Sequence, residues 1–175
     1  PYTTLFRSLT ANSGSGGAAY GAKVPDNRRL DLATEKSVSI DVTGGTNGAC
    51  GLYAESGAGS SVITAKAASG AIRINAKTSG GAAYGLVTSG DGASISLSAG
   101  TISVDAANGA ISANGGSVTV SADSRGSLAA TGASAAVIYA ANGASIDLAN
   151  IDAAAGTSGM LVIGSGDSTI TARNS

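Results

Sequence analysis

The chain is written in short alternating runs. In residues 79–106, SGGAAYGLVTSGDGASISLSAGTISVDA, three runs (AYGLVTS, ASISLS and TISVDA) alternate apolar with small polar side chains, and a glycine-bearing corner separates each from the next. A period of two places successive side chains on opposite faces of an extended backbone, so each run predicts a strand with one apolar face. One such unit cannot bury its own apolar faces; copies stacked on one another can.

The copies are present. GAAYGA at 17–22, GACGLYA at 48–54 and GAAYGLVT at 81–88 each open a unit, and GAISA at 109–113, AVIYA at 136–140 and GMLVI at 159–163 keep the apolar centre without the Tyr-Gly pair. Alignment puts Tyr20, Cys50 and Tyr84 in one column, followed by Gly21, Gly51 and Gly85; the core column reads Ala22, Leu52, Leu86, Ile111, Ile138 and Leu161. Second runs fall at 60–65, 93–98, 117–122, 144–149 and 168–173, and third runs at 37–42, 71–76, 101–106 and, more weakly, 127–131. The interval from Tyr20 to Val38 equals that from Tyr84 to Ile102, 18 residues in each case, so register survives the differing sequence between. Length varies at the corners, where Asn27, Arg28 and Arg29 are expected to lie. Three strands and three corners per copy, with copies in parallel register, predict an all-β parallel β-helix, or β-solenoid. It would have about six coils of three short strands each, stacked ~4.8 Å apart. Helix is disfavoured because glycine recurs every few residues, at ~1 kcal/mol each in a helix interior.

Composition thins the expected core. The apolar 43% is largely alanine with a periodic supply of Ile, Val and Leu, and there is no Trp. Residues 1–8, PYTTLFRS, share nothing with the Gly/Ala/Ser texture that follows and match the translated end of a common sequencing adapter. They are set apart from the fold reading. Residues 9–175 are then expected to be a β-helix segment incomplete at both ends. Without Arg7 the ten basic residues become nine against eleven acidic, a formal charge of −2. With so few aromatics beside it, that balance excludes a nucleic-acid interface. No apolar run approaches the ~18 residues of a membrane-spanning helix. The single cysteine excludes an intrachain disulfide.

Candidate chemistry is sparse. The absence of histidine removes imidazole acid/base and Ser-His-Asp schemes. Cys50 sits in an apolar column beside Gly51 and Leu52 and is expected to pack as a small hydrophobe. Asp91, Asn114, Asn142 and Asp167 share one corner in four copies; Asn, Asp and Gly suit left-handed turns, and one carboxylate per coil is too few for a calcium loop. Asp41, Asp105 and Asp147 alternate with core residues and should point outward, and with Asp152 and Glu55 they are the candidates for a carboxylate pair. Tyr53 and Tyr139 share a column with Val87 and Ser112, one residue beyond the core position. They are the candidate surface-contact residues, since an outward Tyr can stack on a sugar or meet a protein. Tyr20 and Tyr84 have core parity and are expected to cover a corner. No catalytic group, cofactor or metal site is expected.

Residues 83–97, 49–57 and 136–148 follow the form G-x-A-Y-G-L-x-A-x-x-G-x-x-I-x-L in a Gly, Ala, Ser, Thr and Asn-rich, Cys-poor background. In this the chain resembles the passenger domains of bacterial type V autotransporters and related adhesin-like surface proteins. The resemblance implies a right-handed β-helix displayed outside a Gram-negative cell, beyond an outer-membrane barrel, contacting host or bacterial glycans or proteins. The alternative is a non-catalytic part of a polysaccharide-cleaving β-helix enzyme. Unpaired strand edges at the ends of such a stack also predict edge-to-edge self-association of the isolated segment.

Overall fold

The computed structural model describes residues 8–132, 135–156 and 160–175. Its strands are β1 Ser8–Asn12, β2 Ala19–Val24, β3 Arg28–Thr34, β4 Val38–Gly44, β5 Ala49–Glu55, β6 Ser61–Thr78 and β7 Ala83–Ser89. They continue with β8 Ala93–Ala106, β9 Gly109–Asn114, β10 Ser117–Ala130, β11 Ala136–Ala141, β12 Ser145–Ala155, β13 Met160–Gly164 and β14 Thr169–Arg173. The described residues are all-β, with no helix.

Two parallel sheets account for these strands. The first runs β1, β4, β6, β8, β10, β12, β14, with β3 also paired to β6; the second runs β2, β5, β7, β9, β11, β13. Each strand therefore lies beside its counterpart in the next copy, and strands stack in chain order, as in a solenoid or β-helix. The short first runs make the second sheet. The second and third runs of a copy join into one long strand of the first sheet, as in β6, β8, β10 and β12, with a register irregularity where a corner was expected. Extra residues at that irregularity are accommodated as bulges.

The register follows the alternation. Ile63 pairs with Ile95, Ile95 with Val118 and Val118 with Ile146, so one apolar side chain lies on the next along the stack. Ile40, Ile74, Val104 and Leu128 form a second such row, and Leu52, Leu86 and Ile111 a third on the other sheet. All of these are buried and belong to one core. Each buried Ile or Leu contributes roughly 1.5–3 kcal/mol relative to exposure. Polar groups link the copies at the margins: the Ser61 hydroxyl donates to the Val24 carbonyl at 2.6 Å and the Thr88 hydroxyl to the Gly115 carbonyl at 2.9 Å. The Asp26 carboxylate accepts from three successive N–H groups, of Gly57 (2.7 Å), Ala58 (3.2 Å) and Gly59 (3.4 Å), and so fastens the following copy's corner.

Two further sequence expectations change here. Arg28 and Arg29 open β3 and do not lie in a corner; Asn27, at φ 56°, is the turn residue before them. The alternation of Leu30 and Leu32 in RRLDLAT carries that strand into register with Ile63 and Ala65. The core column does not end on Leu161, because Ile138 pairs with Val162. MLVI has no polar alternation, so nothing in its pattern fixes its register to a single residue. Gly159, which anchored that run, lies outside the described residues, as do residues 1–7 of the segment set apart; Ser8 is the first residue of β1.

Candidate functional site

The outer face of the second sheet gathers the tyrosines, and a glycine column explains how. Gly21, Gly51 and Gly85 lie where ladder pairing skips a residue. A Cβ at these positions would run into Ile40, Ile74 and Val104 of the opposite sheet, so all three backbones point inward. The next residues, Ala22, Leu52 and Leu86, also belong to or pack against the core. Two consecutive inward positions break the period of two, and the residue before the pair is turned to the outer face, where Tyr20 is exposed and Cys50, outside the core cluster, is covered. Tyr20 is accordingly 40% exposed and faces outward beside Lys23, rather than covering a corner with core parity. Tyr84 borders the same outer hollows as Tyr53 and Tyr139.

Tyr53 and Tyr139 are both half-buried, and both occupy the predicted outward column, in which Tyr53 pairs with Val87, Val87 with Ser112 and Ser112 with Tyr139. Tyr53 does not stand alone. Its ring stacks on Tyr20 at 5.9 Å between centroids and 15° between planes. The Lys23 ammonium lies 4.8 Å from the Tyr53 centroid and 5.6 Å from that of Tyr20, and pairs with Glu55 at 2.8 Å. The Tyr53 hydroxyl donates to Glu55 Oε1 at 3.3 Å. A hollow of about 190 Å³ lies between Tyr20, Cys50, Tyr53 and Tyr84, and another of about 300 Å³ between Tyr84, Asn108, Ser112 and Tyr139. Three strand spacings, roughly 14 Å, separate Tyr53 from Tyr139 along the stack. The arrangement offers rigid aromatic surface with hydrogen-bonding groups at its rim, suited to ring stacking.

The electrostatics of this face are those of satisfied surface groups. The Glu55 carboxyl is held below its ordinary range by its hydrogen bond to Lys23, and Lys23 is raised by the same bond. Burial pushes the Tyr53 hydroxyl up. Elsewhere Asp26 is lowered by the Gly57 and Ala58 N–H groups, Asp31 by Arg29, and Asp41 by Asn75 and Ser39. A carboxylate depressed in the folded state stabilises fully above its unfolded pKa, near pH 4, and that contribution is lost as pH falls through the folded value. The thermal midpoint is therefore expected to be level between about pH 5 and 7 and to fall steadily below about pH 4. A midpoint that rises on acidification would contradict these assignments.

Cys50 is buried as expected, 6% exposed, and its S–H donates to the Leu52 carbonyl at 3.3 Å. Burial pushes its thiol up to about 12. The thiolate is the reactive form, so native protein at pH 8 is expected to label with a thiol reagent at least about a hundredfold more slowly than protein in denaturant. Equal rates would place the thiol in solvent.

The remaining candidates sort themselves by contact. Asn142 (φ 53°), Gly90 (φ 89°), Gly115 (φ 79°) and Gly166 (φ 66°) hold left-handed backbone in the corner shared by Asp91, Asn114, Asn142 and Asp167, the role turn chemistry assigns to such residues. Among the described residues no three His, Cys, Asp or Glu side chains converge as metal ligands would. Asp147 pairs with Arg173 at 2.8 Å and Asp152 with Arg125 at 2.5 Å. Asp41 accepts from Asn75 at 2.7 Å and Ser39 at 2.8 Å, and Asn75 stands between Asp41 and Asp105 in the ladder. Sequence reasoning missed Tyr20 and Lys23. The signal was the Gly21, Gly51 and Gly85 column, readable as an inward step that reverses the parity of the residue before it.

Comparison with protein-family models, with curated proteins and with solved structures finds no match for this chain. Among the described residues no helix is long and apolar enough to cross a membrane.

Proposed function

We propose that this chain is a structural and binding segment of a secreted or surface-displayed bacterial β-helix of the adhesin type. In this reading it is a right-handed parallel β-helix of about six coils, in which the second and third of the three short runs of a coil join into one long strand. It lies outside the cell, carries no catalytic site or cofactor, and contacts glycans or proteins of a host or bacterial surface. The resemblance to autotransporter passengers drawn from the repeats supports the setting. The observation that carries the binding role is the row of outward tyrosines on one sheet, with Tyr20 and Tyr53 already stacked into a platform. Tyrosines gathered on one outer face, two of them stacked, differ from the singly scattered apolar side chains that an ordinary surface carries. The isolated chain also self-associates through its unpaired strand edges in this account.

Binding of the full chain to immobilised bacterial and mammalian surface glycans, and to host matrix proteins, tests the reading. Tyr53→Ala and Tyr139→Ala are each expected to weaken the interaction about threefold to tenfold, the value of an aromatic stacking contact. Intact glycan should be recovered after prolonged incubation. Binding indifferent to both substitutions would remove the tyrosine face from the account, and release of shortened glycan would contradict the reading of the chain as non-catalytic.

A further inference from the structure

The opposite sheet carries a second feature, created by unequal corner lengths. Where second run meets third, β6 has three residues between the paired positions Ala67 and Ala71, whereas β8 has only Gly100 between Ala99 and Thr101. β10 has three residues between Ala122 and Gly126 where β8 has Gly100 and Thr101, and four between Ser121 and Gly126 where β12 has only Asn150. Long corners on β6 and β10 thus flank a short one on β8. Just beyond it the outer face carries a trough of about 290 Å³ lined by Arg73, Thr101, Ser103, Arg125, Ser127 and Asp152. Arg73, Ser103, Ser127 and Asp152 occupy one ladder column on four successive strands. Arg125 is the last residue of the β10 insertion.

The chemistry of this lining is uneven. Two guanidinium groups face one carboxylate, and Asp152 is committed to Arg125 through Nε at 2.5 Å and Nη2 at 3.2 Å. Arg73 makes no ion pair among the described residues. Between the two arginines stand hydroxyls, with Ser127 Oγ donating to Ser103 Oγ at 3.4 Å. Guanidinium groups favour planar oxyanions in bidentate geometry, and hydroxyls both donate to and accept from a polyol.

We infer that the trough is a binding site for an acidic sugar, with the oxyanion of the sugar engaging Arg73 and reaching Arg125 in competition with Asp152. The sugar hydroxyls meet Thr101, Ser103 and Ser127. The site is independent of the tyrosine face, which lies on the other sheet. Asp152 acts as an internal competitor, holding Arg125 in place until the ligand oxyanion displaces it. This gives the site a signature that a merely structural ion pair lacks: neutralising an acidic residue should tighten binding.

Calorimetric titration of the full chain with three tetrasaccharides tests this. A hyaluronan tetrasaccharide carries carboxylates only, a heparin-derived tetrasaccharide carries sulfates as well, and maltotetraose carries neither. The acidic sugars are expected to bind and maltotetraose not, with affinity falling as salt rises. The ratio between the two acidic sugars assigns the oxyanion as carboxylate or sulfate. Arg73→Ala should weaken binding at least about fivefold and Asp152→Asn should strengthen it about twofold to fivefold, both at unchanged melting temperature. Lys66→Ala, at an exposed cation of β6 outside the trough, should leave this binding unchanged, which separates the trough from the general charge of the sheet. Equal binding of maltotetraose, or an Asp152→Asn variant that binds no better, would overturn the inference. Binding of inorganic sulfate as tight as that of the sugars would reduce the site to an adventitious ion only, and tighter binding of tetraglutamate would overturn the sugar assignment.

Discussion

Leu86→Ala is expected to lower the unfolding free energy by about 2–5 kcal/mol, and with it the thermal midpoint by on the order of 10 °C. Leu86 is 0% exposed and sits in the middle of its row, paired with Leu52 on one side and Ile111 on the other. In a stack held together by neighbour contacts, a hole in a central row weakens two interfaces at once. The surrounding core is rich in alanine, whose short side chains have little reach with which to refill the space. The same truncation at half-buried Val87, on the outer face, is expected to cost well under 1 kcal/mol. Equilibrium denaturation of both variants checks the contrast, and equal losses would mean that the inward and outward faces have been exchanged.

Gly51→Val should be comparably damaging for the opposite reason. A Cβ there would strike Ile74 Cγ2 and stand 2.5 Å from the Gly85 carbonyl oxygen, so the sheets must part or the ladder must shift. Overpacking of this kind costs about 1–3 kcal/mol and occasionally more, and the backbone clash puts this site at the upper end. Val137 occupies the skipped position in the pairing of β11 with β13 and is fully buried, so valine itself is compatible with the column. At Gly51 the space is taken by the Ile74 side chain and the Gly85 carbonyl. Ile74→Ala is therefore expected to cost less in the Gly51→Val background than alone, a favourable coupling measurable in a double-mutant cycle. Strict additivity would show that the valine is accommodated elsewhere.

The alternation made most of the fold legible. Register between Val38, Ile72 and Ile102 follows from Ile and Val recurring at every second residue, and register between Tyr20, Cys50 and Tyr84 from the glycine that succeeds each of them. Legibility failed where alternation did. MLVI at 160–163 offers no polar residue to fix its phase, and the pairing of Ile138 with Val162 differs by one from the aligned column. RRLDLAT was masked by its arginines, although Leu30 and Leu32 carry the correct period. The third-run part of β12, IDAAA, offers only Ile151 as a strong apolar marker. The candidate site was half legible: the outward column of Tyr53 and Tyr139 is a parity statement, whereas Tyr20 required recognising that a glycine stacked opposite Ile40 inverts that parity. The trough on the other sheet depends on relative corner lengths in neighbouring strands, which emerge only once register is known.

Central to all of this is the claim that successive copies advance by one strand spacing in parallel register. Thr64 pairs with Ser96, Ser96 with Thr119, Thr119 with Asp147 and Asp147 with Thr171, four steps spanning 107 residues of chain. At ~4.8 Å per step the backbones of Thr64 and Thr171 lie roughly 19 Å apart. Spin labels on Thr64→Cys and Thr171→Cys, in a Cys50→Ala background, should give a narrow distance distribution centred near ~20 Å by pulsed electron resonance. A broad distribution, or one centred beyond about 35 Å, is incompatible with four steps of ~4.8 Å and would contradict the parallel stack.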